Sequence, residues 1–134
     1  NIARVEMPAE FQRRGVKVVA LVSKAHAEAS ASKHPDGKKL MDFADLVLDT
    51  GAPVGDAMVT IDGLATPVAP GSTVGGCLIV NSLKAEIAAR LTAAGQPPHV
   101  LTAGVLCGPD RATELFEAAY DEHARRLAPY YARL

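Results

Sequence analysis

A glycine followed by two hydroxyl residues stands at the start of the longest predicted helix. Gly71, Ser72 and Thr73 precede an apolar pattern of helical period that runs to Ala94. A helix N-terminus presents free N–H donors and the positive end of the helix dipole, so it can hold a phosphate or another anion. Serine and threonine are also preferred helix caps whether or not anything binds. Two interpretations of Ser72 and Thr73 therefore stand side by side, ligand binding and simple capping.

Two loop residues have side chains suited to proton transfer. His34 lies in a turn between Lys33 and Lys38, and an imidazole there could act as a general acid or base near neutral pH. The alternative for His34 is an ordinary exposed loop histidine. Asp56 follows Gly55 in a second loop and is the candidate base among the nearby acidic residues. We expect His34 and Asp56 to be the catalytic pair if the protein is an enzyme.

The elements that must position these residues alternate between helix and strand. Val16–Val22 is rich in β-branched residues and predicts a strand covered on both faces, as parallel strands are, and Leu46–Leu48 predicts a second one. Ala25–Ser32 is expected to be a loop or a loose helical turn. Helices are expected at Met7–Arg14, at Lys38–Ala44 and at Ser72–Ala94, the last with a buried first half. A final helix is expected from Asp110 until Pro129 stops or kinks it. Ala57–Ile61 and Thr66–Ala69 predict a hairpin, and His99–Ala103 predicts a further short strand.

This order of elements predicts an α/β domain with a mainly parallel sheet. Ligands bind at the carboxyl ends of such strands, so Ser23–Gly37, Thr50–Asp56 and Gly71–Thr73 should converge there. Ser23, directly after the first strand, is accordingly expected to contact substrate. The first helix has no strand in front of it, and a right-handed crossover needs one. We therefore expect one or more N-terminal strands to be absent from this sequence.

Composition excludes several classes of partner. The 134 residues carry 14 Lys plus Arg against 15 Asp plus Glu, a net charge of −1, which leaves no basic surplus to drive nucleic-acid binding. No stretch is long and apolar enough to predict a membrane span or a signal segment. The two cysteines, Cys77 and Cys107, indicate a reducing cytoplasm, and with the scattered histidines they show no metal-like spacing. We expect no metal and no other cofactor.

The sequence resembles the sugar isomerase (SIS) domain proteins, within an uncharacterised branch. The resemblance covers residues 1 to 95 and lies in the order and spacing of four segments. These are Ser32–Leu40 (SKHPDGKKL), Ala44–Asp49 (ADLVLD), Gly51–Ala57 (GAPVGDA), and Pro70–Thr73 (PGST) opening a long helix that contains Asn81.

The resemblance implies a three-layer α-β-α, flavodoxin-like fold, usually dimeric, that binds phosphorylated sugars. Residues 1–134 would then be the C-terminal portion of a single SIS domain. In that family the hydroxyl residues that open the long helix, here Ser72 and Thr73, contribute to the ligand site, and Ser32 falls where a serine is frequent. The isomerases carry a glutamate shortly before this helix, whereas Ile61–Gly71 contains only Asp62.

Two functions are therefore expected. The first is phosphosugar binding in a cytoplasmic homodimer, with aldose–ketose isomerisation as the activity if the site is catalytic. The alternative is a regulatory module that senses a phosphosugar without transforming it.

Overall fold

The structure is a computed structural model that describes residues 2–132. The chain divides into two compact units, Asn1–Leu83 and Lys84–Leu134, and helix α3 begins in the first and ends in the second. The first unit contains helix α1 (Ala3–Arg13), strand β1 (Val19–Val22), helix α2 (Lys24–Ala29), a 3-10 helix (Leu40–Phe43), strands β2 (Leu46–Asp49), β3 (Ala57–Val59) and β4 (Val68–Pro70), and the start of α3 (Gly71–Ala93). The second contains the end of α3, helix α4 (Gly104–Cys107) and helix α5 (Pro109–Tyr131).

Strands β1 and β2 pair in parallel, so their carboxyl ends lie at one edge. Val19 pairs with Leu46, and Val22 pairs with Asp49 at the other end of the register. The expected mixed α/β class with a small parallel sheet is confirmed at this level. The amino ends are joined by Asp45, which accepts hydrogen bonds from the Val18 backbone N–H at 2.8 Å and from Lys17 Nζ at 2.6 Å.

The expectation that the strands and the first half of α3 are covered all round is wrong for the described residues. Ala20 in β1 is only 2% exposed, whereas its neighbour Val19 is 56% exposed. Leu78 in α3 is 67% exposed. Apolar composition predicts that a segment is more stable when buried, but it does not show what covers the segment. Within residues 2–132, only one face of β1 is covered by other residues.

The predicted hairpin is confirmed, with shorter strands. β3 and β4 are antiparallel, with Ala57 opposite Pro70 and Val59 opposite Val68. Two residues of this hairpin region other than glycine have a left-handed backbone, Asp56 with φ 62° and Ala69 with φ 67°. Such conformations are strained for residues with a Cβ, least so for Asp and Asn.

Several local predictions need correction. The segment His99–Ala103 is irregular rather than a strand, and the expected helix at Lys38–Ala44 is only the four-residue 3-10 turn Leu40–Phe43. Ala25–Ser32 does contain a helical turn, as α2. Helix α1 begins at Ala3, four residues before the expected start, and α5 continues past Pro129 to Tyr131. Proline removes only one helical hydrogen bond, and near a helix end that loss is small.

Across residues 2–132, every helix is too short or too polar to cross a lipid bilayer.

Candidate functional site

The loops after β1 and β2 are tied together at the carboxyl edge of the parallel pair. Ser23 Oγ donates to the carbonyl oxygen of Ala52 at 2.7 Å, and the backbone N–H of Gly55 donates to Nδ1 of His26 at 3.0 Å. Asp49, the last residue of β2, accepts from the backbone N–H of Lys24 at 3.0 Å. Backbone and side-chain polar groups from two segments thus meet where ligands bind in open parallel sheets.

Asp56 joins the start of α3 to this edge. Its carboxylate accepts from the backbone N–H of Ser72 at 2.6 Å and from the Ser72 hydroxyl at 2.5 Å, and its carbonyl oxygen accepts from the Gly71 N–H at 3.1 Å. The left-handed backbone of Asp56 turns the chain so that both groups face the helix. The first two N–H groups of α3 are therefore already bound by Asp56, that of Gly71 by its carbonyl oxygen and that of Ser72 by its carboxylate.

This arrangement makes Asp56 a weak base. The hydrogen bond from the Ser72 hydroxyl, followed by the one from the Ser72 backbone, holds the pKa of Asp56 below its ordinary value of 3.8. A carboxylate with a lowered pKa has less affinity for a proton at neutral pH. It remains a good acceptor for hydroxyl donors.

His26 belongs to this cluster, and sequence reasoning missed it. Because the Gly55 N–H occupies Nδ1, the neutral ring carries its proton on Nε2. The side chain is exposed at the third position after the Ser23 cap of α2. His26 could have been identified from its position within Ser23–Gly37, a segment expected at the carboxyl edge of the sheet. It was passed over because the histidines show no spacing typical of a metal site.

His34 has both ring nitrogens engaged. Its Nε2 lies 2.9 Å from the Glu6 carboxylate on α1, and its Nδ1 accepts from the backbone N–H of Asp36 at 3.2 Å. The side chain is 8% exposed, so the alternative of an ordinary exposed loop histidine is wrong. This geometry fastens the Ser30–Lys39 loop to α1. A catalytic role for His34 stays a prediction.

The remaining predicted ligand residues differ in their surroundings. The Ser32 hydroxyl donates to the Lys38 carbonyl oxygen at 2.6 Å and accepts from the His34 N–H at 3.1 Å, so it shapes its own loop. Thr73 is exposed, one residue after the Ser72–Asp56 pair. Ser23 is bound to Ala52 and caps α2 through the His26 N–H. Their contacts with substrate stay predictions.

A cavity of about 250 Å³ lies beside the cluster, and we call it the basic cavity. Its wall includes His26, His34 and Ser32. It also includes four cationic residues, Arg4, Lys33, Lys38 and Lys39. Within the described residues, no group of three or more His, Cys, Asp or Glu side chains is placed to hold a metal ion.

The sequence is similar to proteins named UPF0309 protein. It is 38% identical over 108 residues to one from Streptomyces griseus, a match covering 81% of this chain and 43% of that protein. It is 34% identical over 129 residues to one from Caldanaerobacter subterraneus, covering 95% and 52%, and 37% identical over 110 residues to one from Halalkalibacterium halodurans, covering 82% and 46%. The chain spans about half the length of the curated relatives it matches. No family model matches the sequence.

Proposed function

We propose that this chain contributes a phosphosugar-binding site of the SIS type. The observation that carries the proposal is the meeting of the Ser23–Ala52, His26–Gly55 and Asp56–Ser72 contacts at the carboxyl edge of two parallel strands. Carboxylate, hydroxyl and imidazole groups at one edge suit a ligand with many hydroxyl groups. The proposal includes a flavodoxin-like three-layer domain, of which this chain is the C-terminal portion, in a cytoplasmic homodimer.

In this proposal the Asp56–Ser72 pair contacts sugar hydroxyls. Asp56 accepts hydrogen bonds from the sugar, and Ser72 and Thr73 exchange hydrogen bonds with it. His26 stands beside them with an Nε2–H donor. A sugar hydroxyl can replace the Ser72 hydroxyl on the Asp56 carboxylate, because both hydroxyl groups are neutral donors. A phosphate would instead have to displace the Asp56 carboxylate from the helix N-terminus.

The surroundings of the two predicted catalytic residues, His34 and Asp56, favour phosphosugar sensing over isomerisation. Asp56 is held in its charged form by Ser72, and both nitrogens of His34 are engaged in fastening a loop. Neither group is therefore poised to move a proton between sugar carbons. We propose binding and sensing as the primary function, with isomerase activity as the second candidate.

Titration of the full-length protein with hexose and amino-sugar phosphates tests binding. A ligand that binds the native state raises Tm, so millimolar concentrations of the correct sugar phosphate should do so, while the unphosphorylated sugar should act far more weakly. Ser72→Ala should weaken affinity about 5- to 10-fold, the usual effect of one lost hydrogen bond. Ser82→Ala, an exposed position in the same helix, is the matched control.

Three outcomes distinguish the alternatives. Absence of any Tm increase across the panel contradicts the function. Equal affinity in Ser72→Ala, Thr73→Ala and the control contradicts the site while leaving the function standing. Turnover of a bound sugar phosphate that is lost in His34→Ala or Asp56→Ala would establish the isomerase instead of the sensor.

A further inference from the structure

The basic cavity concentrates positive charge in a chain whose net charge is −1. Four cationic residues line it, and the residues lining it include no Asp or Glu. Over the whole sequence, by contrast, acidic residues outnumber Lys plus Arg by one, 15 against 14. A concave surface lined by charges of one sign raises the local concentration of counter-ions. The charge of the lining residues therefore favours anions over cations in this cavity.

None of the four cations has an ionic partner among residues 2–132, but one of them is held by backbone carbonyl groups. Lys39 is occupied, since its Nζ donates to the carbonyl oxygens of Ala27 at 2.6 Å and Glu28 at 3.2 Å. Arg4, Lys33 and Lys38 take part in none of the ion pairs that the described residues make. Positive charges gathered without counter-charge repel one another, and an anion would relieve that repulsion.

Two acidic residues, Glu6 and Asp36, have carboxylates near the His34 ring, and only that of Glu6 is hydrogen-bonded to it. The Glu6 carboxylate is 2.9 Å from His34 Nε2, and Asp36 Oδ2 is 3.9 Å from His34 Nδ1. Neither residue lines the cavity. The protein's own carboxylates therefore do not fill it, in contrast to the start of α3.

The loop that carries the two free lysines is held in one shape. The Ser32 hydroxyl bridges the His34 N–H and the Lys38 carbonyl oxygen, which sets the two ends of the loop at a fixed separation. The His34 ring then ties the loop to α1, the helix that carries Arg4. Charges positioned before binding lose less conformational freedom when a ligand arrives.

The cavity adjoins the proposed sugar site through a shared residue. His26 lines the cavity, and its Nδ1 accepts the N–H of Gly55, the residue before Asp56. One ligand can therefore place an anionic group in the cavity and hydroxyl groups beside Asp56. The cavity volume of about 250 Å³ is below the range usual for a whole small-molecule ligand, which suits the anionic part of one.

We infer that the basic cavity binds the phosphate group of the phosphorylated sugar, through Arg4, Lys33 and Lys38. The inference rests on the proposed function for the sugar part of the ligand, and the anion site itself rests on the cavity. It places the phosphate at the β1 side of the edge and assigns the start of α3 to the sugar hydroxyls. A phosphate monoester carries a charge of about −1.5 to −2 at pH 7, which three cations match well.

The test compares Lys33→Gln/Lys38→Gln with Lys84→Gln/Arg125→Gln in the full-length protein by calorimetric titration. Both variants remove two positive charges, but Lys84 and Arg125 are exposed and do not line the cavity. Inorganic phosphate and the sugar phosphate that raises Tm are the probes. The cavity variant should bind both about 10- to 100-fold more weakly, because charge-assisted hydrogen bonds are lost, and the control should stay within about twofold of wild type.

Ionic strength gives a second measurement on the same samples. Wild-type affinity for phosphate should fall steadily between low and high NaCl, since exposed charges are screened over about 10 Å at 0.1 M salt. Lys33→Arg/Lys38→Arg retains the charge and should retain most of the affinity. Circular dichroism and Tm of each variant verify that the fold is intact.

Each result bears on one claim or the other. Sugar-phosphate affinity equal in the cavity variant and in wild type overturns this inference and leaves the proposed function standing. Phosphate binding that is lost in the cavity variant, with no sugar phosphate bound by wild type, supports the anion site and overturns the proposed function. Absence of binding by either probe overturns both.

Discussion

The start of helix α3 and the basic cavity both carry groups that attract an anion, and they differ in what already occupies them. At the start of α3, the Ser72 N–H and hydroxyl are bound to the Asp56 carboxylate. In the cavity, Arg4, Lys33 and Lys38 have no ionic partner among the described residues. The comparison shows that a helix start rich in hydroxyl residues is not by itself an available anion site.

The largest effect that would sharpen the comparison comes from Gly75→Ala. A Cβ at Gly75 would collide with the carbonyl oxygen of Thr50, so the substitution should push α3 away from the loop after β2. Overpacking of this kind lowers the free energy of unfolding by about 1–3 kcal/mol. Urea denaturation measures the loss, and sugar-phosphate affinity should fall while inorganic phosphate affinity in the cavity is retained.

Gly76→Ala is the matched control for that substitution. The nearest atom to its new Cβ is Cδ2 of Leu21 at 3.9 Å, an ordinary contact. Alanine is a better helix former than glycine by roughly 0.5–1 kcal/mol, so stability should be unchanged or higher. Equal destabilisation by both substitutions would contradict the close approach of α3 to Thr50.

A comparable but smaller effect is expected at the cavity from His34→Ala. The change removes the link to Glu6 and leaves the Asp36 N–H without its partner, which should cost about 1–2 kcal/mol of stability. The loop bearing Lys33 and Lys38 loosens, so phosphate affinity falls as well. Thermal melting and phosphate titration measure the two effects.

His34→Gln separates the positioning role from catalysis. The glutamine amide can still donate to Glu6, so this variant should recover much of the stability and of the phosphate affinity. Failure of His34→Gln to recover stability and phosphate affinity would contradict the positioning role, and recovery of binding without recovery of a measured turnover would show that His34 also has a catalytic role.

The smallest effect is expected from Asp56→Asn, and it depends on pH. Because hydrogen bonds from Ser72 lower the pKa of Asp56 in the folded state, its stabilising contribution is present above the ordinary pKa of 3.8 and disappears as pH falls through the lower folded pKa. Asparagine tolerates the left-handed backbone, so the change tests the charge. At pH 7 the variant should melt at a lower Tm than wild type, and below pH 3.8 the two values should converge.

Asp62→Asn, at the hairpin tip, is the control for Asp56→Asn. Its Tm should follow that of wild type at both pH values. A Tm difference for Asp56→Asn that persists unchanged in acid would contradict the ionic cap at the start of α3. Phosphate affinity of the cavity should be the same in both variants.

The sequence predicted the parallel strands, the hairpin and the long helices because each carries a local periodic pattern. It also predicted which segments meet at the carboxyl edge, since topology determines that. It could not predict that Asp56 occupies the start of α3, because the pair is 16 residues apart and depends on the left-handed backbone of Asp56. Nor could it predict the basic cavity, whose cations come from α1 and from a separate loop.

The errors have a common physical origin in short segments. Stretches of five to seven residues, such as His99–Ala103 and Lys38–Ala44, contain too few residues for their periodicity to separate helix, strand and irregular chain. His26 was missed for a related reason, since its role depends on a backbone N–H 29 residues away.

The left-handed backbone at two residues of the hairpin region has a consequence for engineering. At Ala69 the conformation brings strain with no side-chain function, so Ala69→Gly should stabilise the protein. The greater freedom of glycine in the unfolded chain offsets part of the relieved strain, which leaves a net gain of at most about 1 kcal/mol. At Asp56 the same relief would remove the carboxylate that orders the start of α3. Asp56 and Ala69 both lie at the open end of the hairpin, next to the Ala57–Pro70 pair. At Ala69 stability can be improved without loss of the carboxylate, whereas at Asp56 stability and ligand recognition are in direct opposition.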